Sequence, residues 1–196
     1  MFDDGTLRTN IISSIDNQLA YMTQTHNKVF PVRFDLRFLQ GYHHDGGNDH
    51  VAYFLRRMKQ HYDYYNTDCV YVVVREQNTS ELPHYHCMFL FDGNKIRSPM
   101  GVYDQASHIW QDTLNTTQDG LVHCCHSQPN QYTPPLTMIR SASSLANGER
   151  FQDQHRQFND AYQTAMIHGR YLAKDHTKGS APKGVRKLLA TRVPSQ

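Results

Sequence analysis

Between Thr9 and Thr25 the apolar residues Ile11, Ile12, Ile15, Leu19 and Met22 recur at helical spacing, which predicts an amphipathic helix. From Val29 to Leu39 the period changes to two. Val32, Phe34, Leu36 and Phe38 alternate with Arg33, Asp35 and Arg37, predicting a strand with one buried face. Gln40 to Asn48, punctuated by Gly41, Gly46 and Gly47, reads as a loop. Asp49 reads as the cap of a helix running to about Tyr65, with Val51, Phe54, Leu55, Met58 and Tyr62 facing inward. Val70 to Arg75 and His84 to Phe91 read as two strands joined through the polar segment Gln77 to Pro83. Asp92-Gly93-Asn94-Lys95 closes this hairpin as a turn. Val102 to Asn115 carries Ala106, Ile109, Trp110 and Leu114 at helical spacing, and Leu121 to His126 is a short strand. Pro129 to Asn147 reads mostly as loop, with a short strand at Leu136 to Ile139. A long helix follows from Phe151 to Lys174.

The centre of this order is β-α-β-β-α-β, the ferredoxin-like or RRM-like pattern. The expected fold class is therefore α+β, an antiparallel sheet with flanking helices. At 196 residues, 38% of them hydrophobic, the chain suffices for one globular domain with a real core. That domain is expected over residues 1–179, with 180–196 a basic, weakly ordered tail. No apolar run is long enough to span a membrane, and the acidic N-terminus has no apolar core of a signal peptide. Cys69, Cys87, Cys124 and Cys125 form no disulfide framework, which points to a reducing cytoplasm.

Charge adds an asymmetry. From Ala161 onward seven Lys or Arg face a single acid, Asp175, whereas the preceding 160 residues carry 13 basic and 17 acidic side chains. A basic end of this kind suits contact with a phosphate backbone, or a solvated tail. Arg56, Arg57 and Lys59 on the second helix could also touch nucleic acid, although a solvated helix face accounts for them equally.

Two stretches carry candidate chemistry. On a strand, His84 and His86 project to the same face, and the hairpin brings the Glu76 carboxylate beside them. Two imidazoles and a carboxylate make a three-ligand set for a divalent cation. Near the C-terminus, Tyr171 and Lys174 lie one helical turn apart on adjoining surfaces. A tyrosine there can act as a nucleophile, and a lysine beside it supplies positive charge for a phosphate or a phenolate. Two other histidine groups are weaker. His43, His44 and His50 surround the glycine loop, where exposed histidines are the commoner outcome. His123-Cys124-Cys125-His126 looks like a zinc tetrad, but neighbours on a strand face opposite ways and cannot close a tetrahedron.

His-x-His on a strand followed by Tyr-x-x-Lys on a downstream helix resembles the HUH superfamily of single-strand DNA nickases. The run Gly169-Arg170-Tyr171-Leu172-Ala173-Lys174, with Thr177-Lys178-Gly179 after it, is most similar to inovirus-type (filamentous phage and prophage) replication proteins. The resemblance spans roughly Pro31 to Gly179. It implies an HUH endonuclease fold and sequence-specific nicking and joining of single-stranded or hairpin origin DNA, initiating rolling-circle replication. It further implies a Mn²⁺ or Mg²⁺ ion on Glu76, His84 and His86, with Tyr171 as nucleophile and Lys174 neutralising phosphate charge. Arg170, Lys178 and Lys183 are then the expected DNA contacts. Tyr162 lies nine residues before Tyr171 and so on the opposite side of the helix, leaving one nucleophile. The family's N-terminal motif has no clear counterpart beyond Val32 to Phe38. No Gly-x-x-x-x-Gly-Lys-Ser/Thr motif is present, so a host helicase and polymerase are the expected partners.

Two other readings compete. A non-catalytic single-strand binder of the same layout would stack bases on Tyr71, Tyr85, Phe89 and Phe91. A transposase or relaxase would use the same nicking chemistry for a different end.

Overall fold

A computed structural model of the protein describes residues 4–77, 80–125, 135–173 and 181–194. Ten elements follow in chain order: α1 (Asp4–Thr25), β1 (Lys28–Leu36), α2 (Asp49–Tyr64), β2 (Cys69–Glu76), β3 (His84–Asp92), α3 (Pro99–Leu114), β4 (Val122–Cys124), β5 (Ile139–Arg140), α4 (Gly148–Leu172) and β6 (Leu188–Ala190). The expected α+β class holds: one six-stranded, open, antiparallel sheet with four helices. Its strands lie in the order β4-β1-β3-β2-β6, and β5 pairs with the far end of β1 on the same side as β4.

Strand alternation divides the sheet into two faces. Phe34 and Leu36 of β1, Val73 of β2 and Tyr85, Cys87, Phe89 and Phe91 of β3 point toward α2 and α3. There they meet Phe54, Met58, Ala106 and Trp110 in one core. Val29, Val70, Val72, Val74, Met88 and Leu90 point the other way, toward Ile11, Ile15, Leu19 and Met22 of α1 and Ala161, Ala165 and Met166 of α4. Both faces are therefore covered.

Four expectations change. Arg33 and Asp35, the polar half of β1, are not on a solvent face; each is only 6% exposed, and the Tyr171 ring of α4 packs on Arg33. Tyr85, Phe89 and Phe91 are fully buried and Tyr71 packs against the same core, so α2 and α3 occupy the surface on which bases would stack. The tail also differs. Leu188, Leu189 and Ala190 pair with Val74, Val73 and Val72. Arg75 N–H donates to the Lys187 carbonyl, and Thr191 N–H donates to the Tyr71 carbonyl. An apolar strand such as β2 left as an edge would expose unpaired backbone groups, and the Leu-Leu-Ala run in the basic tail satisfies them. Asp49 is not the cap of α2 either. Asn48 holds that position, and its side chain accepts from Arg75 and Tyr85 rather than from the helix.

The approach of α4 to α1 depends on small side chains. Ala161, Ala165 and Gly169 are spaced four apart and all are buried against α1. A Cβ added at Gly169 would lie 2.7 Å from Ile15 Cγ2 and 3.0 Å from Ile15 Cδ1. Ile15 is 1% exposed and branched at Cβ, so it has nowhere to retreat. Gly169 thus serves the contact with α1. In a free helix Gly→Ala stabilises by up to about 1 kcal/mol, but overpacking costs about 1–3 kcal/mol. We expect Gly169→Ala to lower stability by roughly 1–2 kcal/mol in urea unfolding. A neutral or stabilising result would mean that the helices do not meet at Ile15.

Candidate metal centre

The register of the sheet assembles the site. Glu76 is paired directly with His84 across β2–β3, and His86 with Asp35 across β3–β1. Directly opposed residues in antiparallel strands share a face, so all four side chains stand on the side covered by α4. The apolar half of that face ends at Met88 and Val74, and the polar half begins at His86. Glu76, His84 and His86 each offer a donor atom, all within 4.8 Å of one another.

His86 is the centre of the group. Its Nδ1–H donates to Asp35 Oδ1 at 2.7 Å, and its Nε2–H donates to Glu76 Oε2 at 2.5 Å. His84 Nε2 lies 3.5 Å from the same Glu76 oxygen, with its ring almost perpendicular to that of His86 at 4.7 Å between centroids. Burial opposes charge on His86, but the hydrogen bonds and charges of Asp35 and Glu76 outweigh it and raise its pKa above the ordinary value. Burial and the neighbouring His86 together push His84 down. For Asp35 burial acts upward, yet the His86 hydrogen bond and charge, with Arg33 behind them, hold the carboxyl below its usual range.

This arrangement fits a divalent cation. Bonds of about 2.0–2.3 Å place neighbouring ligand atoms about 3–4.5 Å apart, close to the spread observed. The bound ion would replace the proton on His86 Nε2 and widen the Glu76 contact. Asp35 would then hold His86 from behind, as an outer carboxylate holds a ligating imidazole in many metal sites. Sequence reasoning missed Asp35, although its even spacing from Arg33 and Arg37 put it on a strand.

The end of α4 closes the site. The Tyr171 ring is half-buried and stands perpendicular to His86 with 5.8 Å between centroids. Arg33 Cζ lies 3.9 Å from the Tyr171 ring centroid. Tyr162, by contrast, donates to Asp16 Oδ1 at 2.9 Å on the α1 side, and its phenol is pushed up by burial. Arg170 and Lys183 are exposed, whereas Lys174 and Lys178 lie outside the described residues.

The chain matches the family model of the YagK/YfjJ C-terminal domain over residues 1–185. It belongs to that family. No curated protein and no solved structure matches it significantly. The family match takes in every strand of the centre and the end of α4, so Asp35, Glu76, His84, His86 and Tyr171 all fall within the YagK/YfjJ domain.

The other histidines belong elsewhere. His44 is no exposed loop residue: its side chain is 3% exposed, packs edge-on against Phe38, and its Nδ1 accepts from Gly46 N–H. His50 is hydrogen-bonded to the Tyr42 hydroxyl at 2.8 Å. His123 is paired opposite Asp35 and Cys124 opposite Phe34, so the two point to different faces. His126 lies outside the described residues. Arg56 and Arg57 are exposed on α2, across the sheet from the metal centre, and Lys59 pairs there with Asp63. No described helix is long and apolar enough to cross a membrane.

Because His86 must lose a proton to bind metal, Mn²⁺ affinity should fall by about tenfold per pH unit below its raised pKa, measured by electron paramagnetic resonance. In the metal-free protein the sign reverses. Charged His86 stabilises the fold below about pH 6.5, and that contribution is lost as pH climbs through the higher folded value. Asp35→Asn should weaken Mn²⁺ by about 10–100-fold with the fold retained. Unchanged affinity would show that Asp35 does not support the ligand.

Proposed function

We propose that this YagK/YfjJ domain nicks and rejoins single-stranded DNA through a tyrosine nucleophile, in the manner of the HUH endonucleases. The observation that carries the reading is the meeting of Tyr171 with the Glu76–His84–His86 group at one end of the sheet. The strand order supports it. β1-α2-β2 is a βαβ unit whose two parallel strands are split by β3, and β3-α3-β4 is a second one split by β1. Two interleaved split units are what the proposed ferredoxin-like arrangement requires.

Glu76, His84 and His86 would hold Mn²⁺ or Mg²⁺, which supplies Lewis-acid polarisation of a non-bridging phosphate oxygen. Mixed nitrogen and oxygen donors favour Mn²⁺. Tyr171 Oη attacks the phosphorus and the bond to O3′ breaks. The phenol proton leaves to solvent, and the departing O3′ takes one up. The products are a 5′-phosphotyrosyl DNA and a free 3′-hydroxyl that can prime synthesis. Attack by that hydroxyl, or by another, reverses the step and joins the strand. Lys174 offsets phosphate charge, and Arg170, Lys178 and Lys183 follow the backbone of the bound strand. Such chemistry initiates rolling-circle replication of a phage or plasmid-like element, with a host helicase and polymerase completing it.

The rival stacking reading loses its platform, because the aromatic residues it needs are under α2 and α3. A transposase or relaxase would share the site and differ in its DNA. The test uses a labelled random-sequence pool of single-stranded DNA with Mn²⁺. A denaturation-resistant adduct should form with the wild type and with Tyr162→Phe, but not with Tyr171→Phe, whose strand binding should stay within a few-fold. An adduct on Tyr171→Phe would place the nucleophile elsewhere.

A further inference from the structure

Arg33 is a charged side chain buried on the roofed face of the sheet, where an ion normally requires a partner. It is 6% exposed, and its Nε is shut off from solvent with no hydrogen-bond partner among the described residues. Its backbone is fixed on both sides. The Arg33 carbonyl accepts from Tyr103 Oη at 3.2 Å and from Cys125 N–H at 3.3 Å, and its Cα is registered opposite Met88. Asp35, two residues along the same face, is near enough to feel the Arg33 charge. It is nevertheless engaged with His86 and makes no ion pair with the guanidinium. Among the described residues, the partner found for the guanidinium is the Tyr171 ring, whose centroid lies 3.9 Å from Arg33 Cζ.

A cation–π contact offsets only part of what desolvating a charge costs. The geometry therefore leaves a guanidinium whose Nε has no hydrogen-bond partner among the described residues, beside both the tyrosine and the metal ligands. A planar guanidinium in this state is suited to bidentate binding of phosphate oxygens.

We propose that Arg33 is the residue that binds the phosphodiester presented to Tyr171, gripping a non-bridging oxygen while its stem keeps the Tyr171 ring in place. This rests on the nicking reading for its substrate. The charge count agrees. Glu76 and Asp35 are anionic and Arg33 is cationic, so a divalent cation leaves the centre with one net positive charge. One phosphodiester anion cancels it. Without Arg33 the metal-loaded centre would be neutral and would give a phosphate no net attraction.

The test observes the Arg33 Nε–H resonance of the wild-type protein, assigned by comparison with Arg33→Lys, during titration with a short oligothymidylate in saturating Mg²⁺. The resonance should shift as the strand binds. Arg33→Met, which keeps an unbranched apolar stem beneath Tyr171, should weaken the strand by about 10–100-fold. Arg33→Lys, which keeps the charge without the fork, should fall between the two. A stationary resonance, with the strand bound elsewhere or not at all, overturns the proposal even if a variant fails to fold. Adduct formation on the random-sequence pool separates the two claims. A shifting resonance without adduct upholds the phosphate site and defeats nicking, whereas an adduct with a stationary resonance does the reverse.

Discussion

One imidazole ties three strands together at the end of the sheet. His86 on β3 donates to Asp35 on β1 and to Glu76 on β2, so the two carboxylates are held apart by a shared cation. The same contacts fix the imidazole in one orientation, with Nδ1 on Asp35 and Nε2 on Glu76. A divalent ion bound by Glu76, His84 and His86 would replace a single proton and would meet ligand atoms already within 4.8 Å of one another. The cost of ordering is met when the sheet folds, and binding then needs little rearrangement.

The second constraint is how close α4 can come. Tyr171, the proposed nucleophile, stands in the last turn of a long helix, and only a small-residue seam lets that helix settle against α1. Ala161, Ala165 and Gly169 set the distance, with Ile15 as the stop. Two turns of error along the helix would carry the phenol away from His86. Leu172 and Ala173, both buried, pin the end of the helix to the sheet just after Tyr171. Packing between two helices therefore determines the geometry at a site that neither core cluster contains.

Much of this was legible in the sequence because it was local. The hairpin from Val70 to Phe91 could be read from alternation and its polar connection, and with it the meeting of Glu76, His84 and His86. Tyr171 was singled out only by the resemblance that joins Tyr-x-x-Lys to His-x-His, whereas the element order could be read from hydrophobic period. Asp35 and Arg33 could not be placed, because their roles depend on β1 pairing with β3 across more than fifty residues. Nothing in the alternation of β1 tells that α4 roofs its polar side. The β6 strand was hidden for a related reason: Leu188 to Ala190 is too short to read as a strand until β2 offers it an edge.

The proposed nicking requires Tyr171 to become covalently joined to DNA under the control of the metal centre. The most direct measurement is mass spectrometry of the protein after incubation with single-stranded DNA and Mn²⁺, nuclease trimming and proteolysis. A nucleotide is expected on the peptide that contains Tyr171, in phosphodiester linkage to its oxygen, and it should disappear when Mn²⁺ is chelated. A nucleotide on any other residue, or one that persists without the metal, would contradict it.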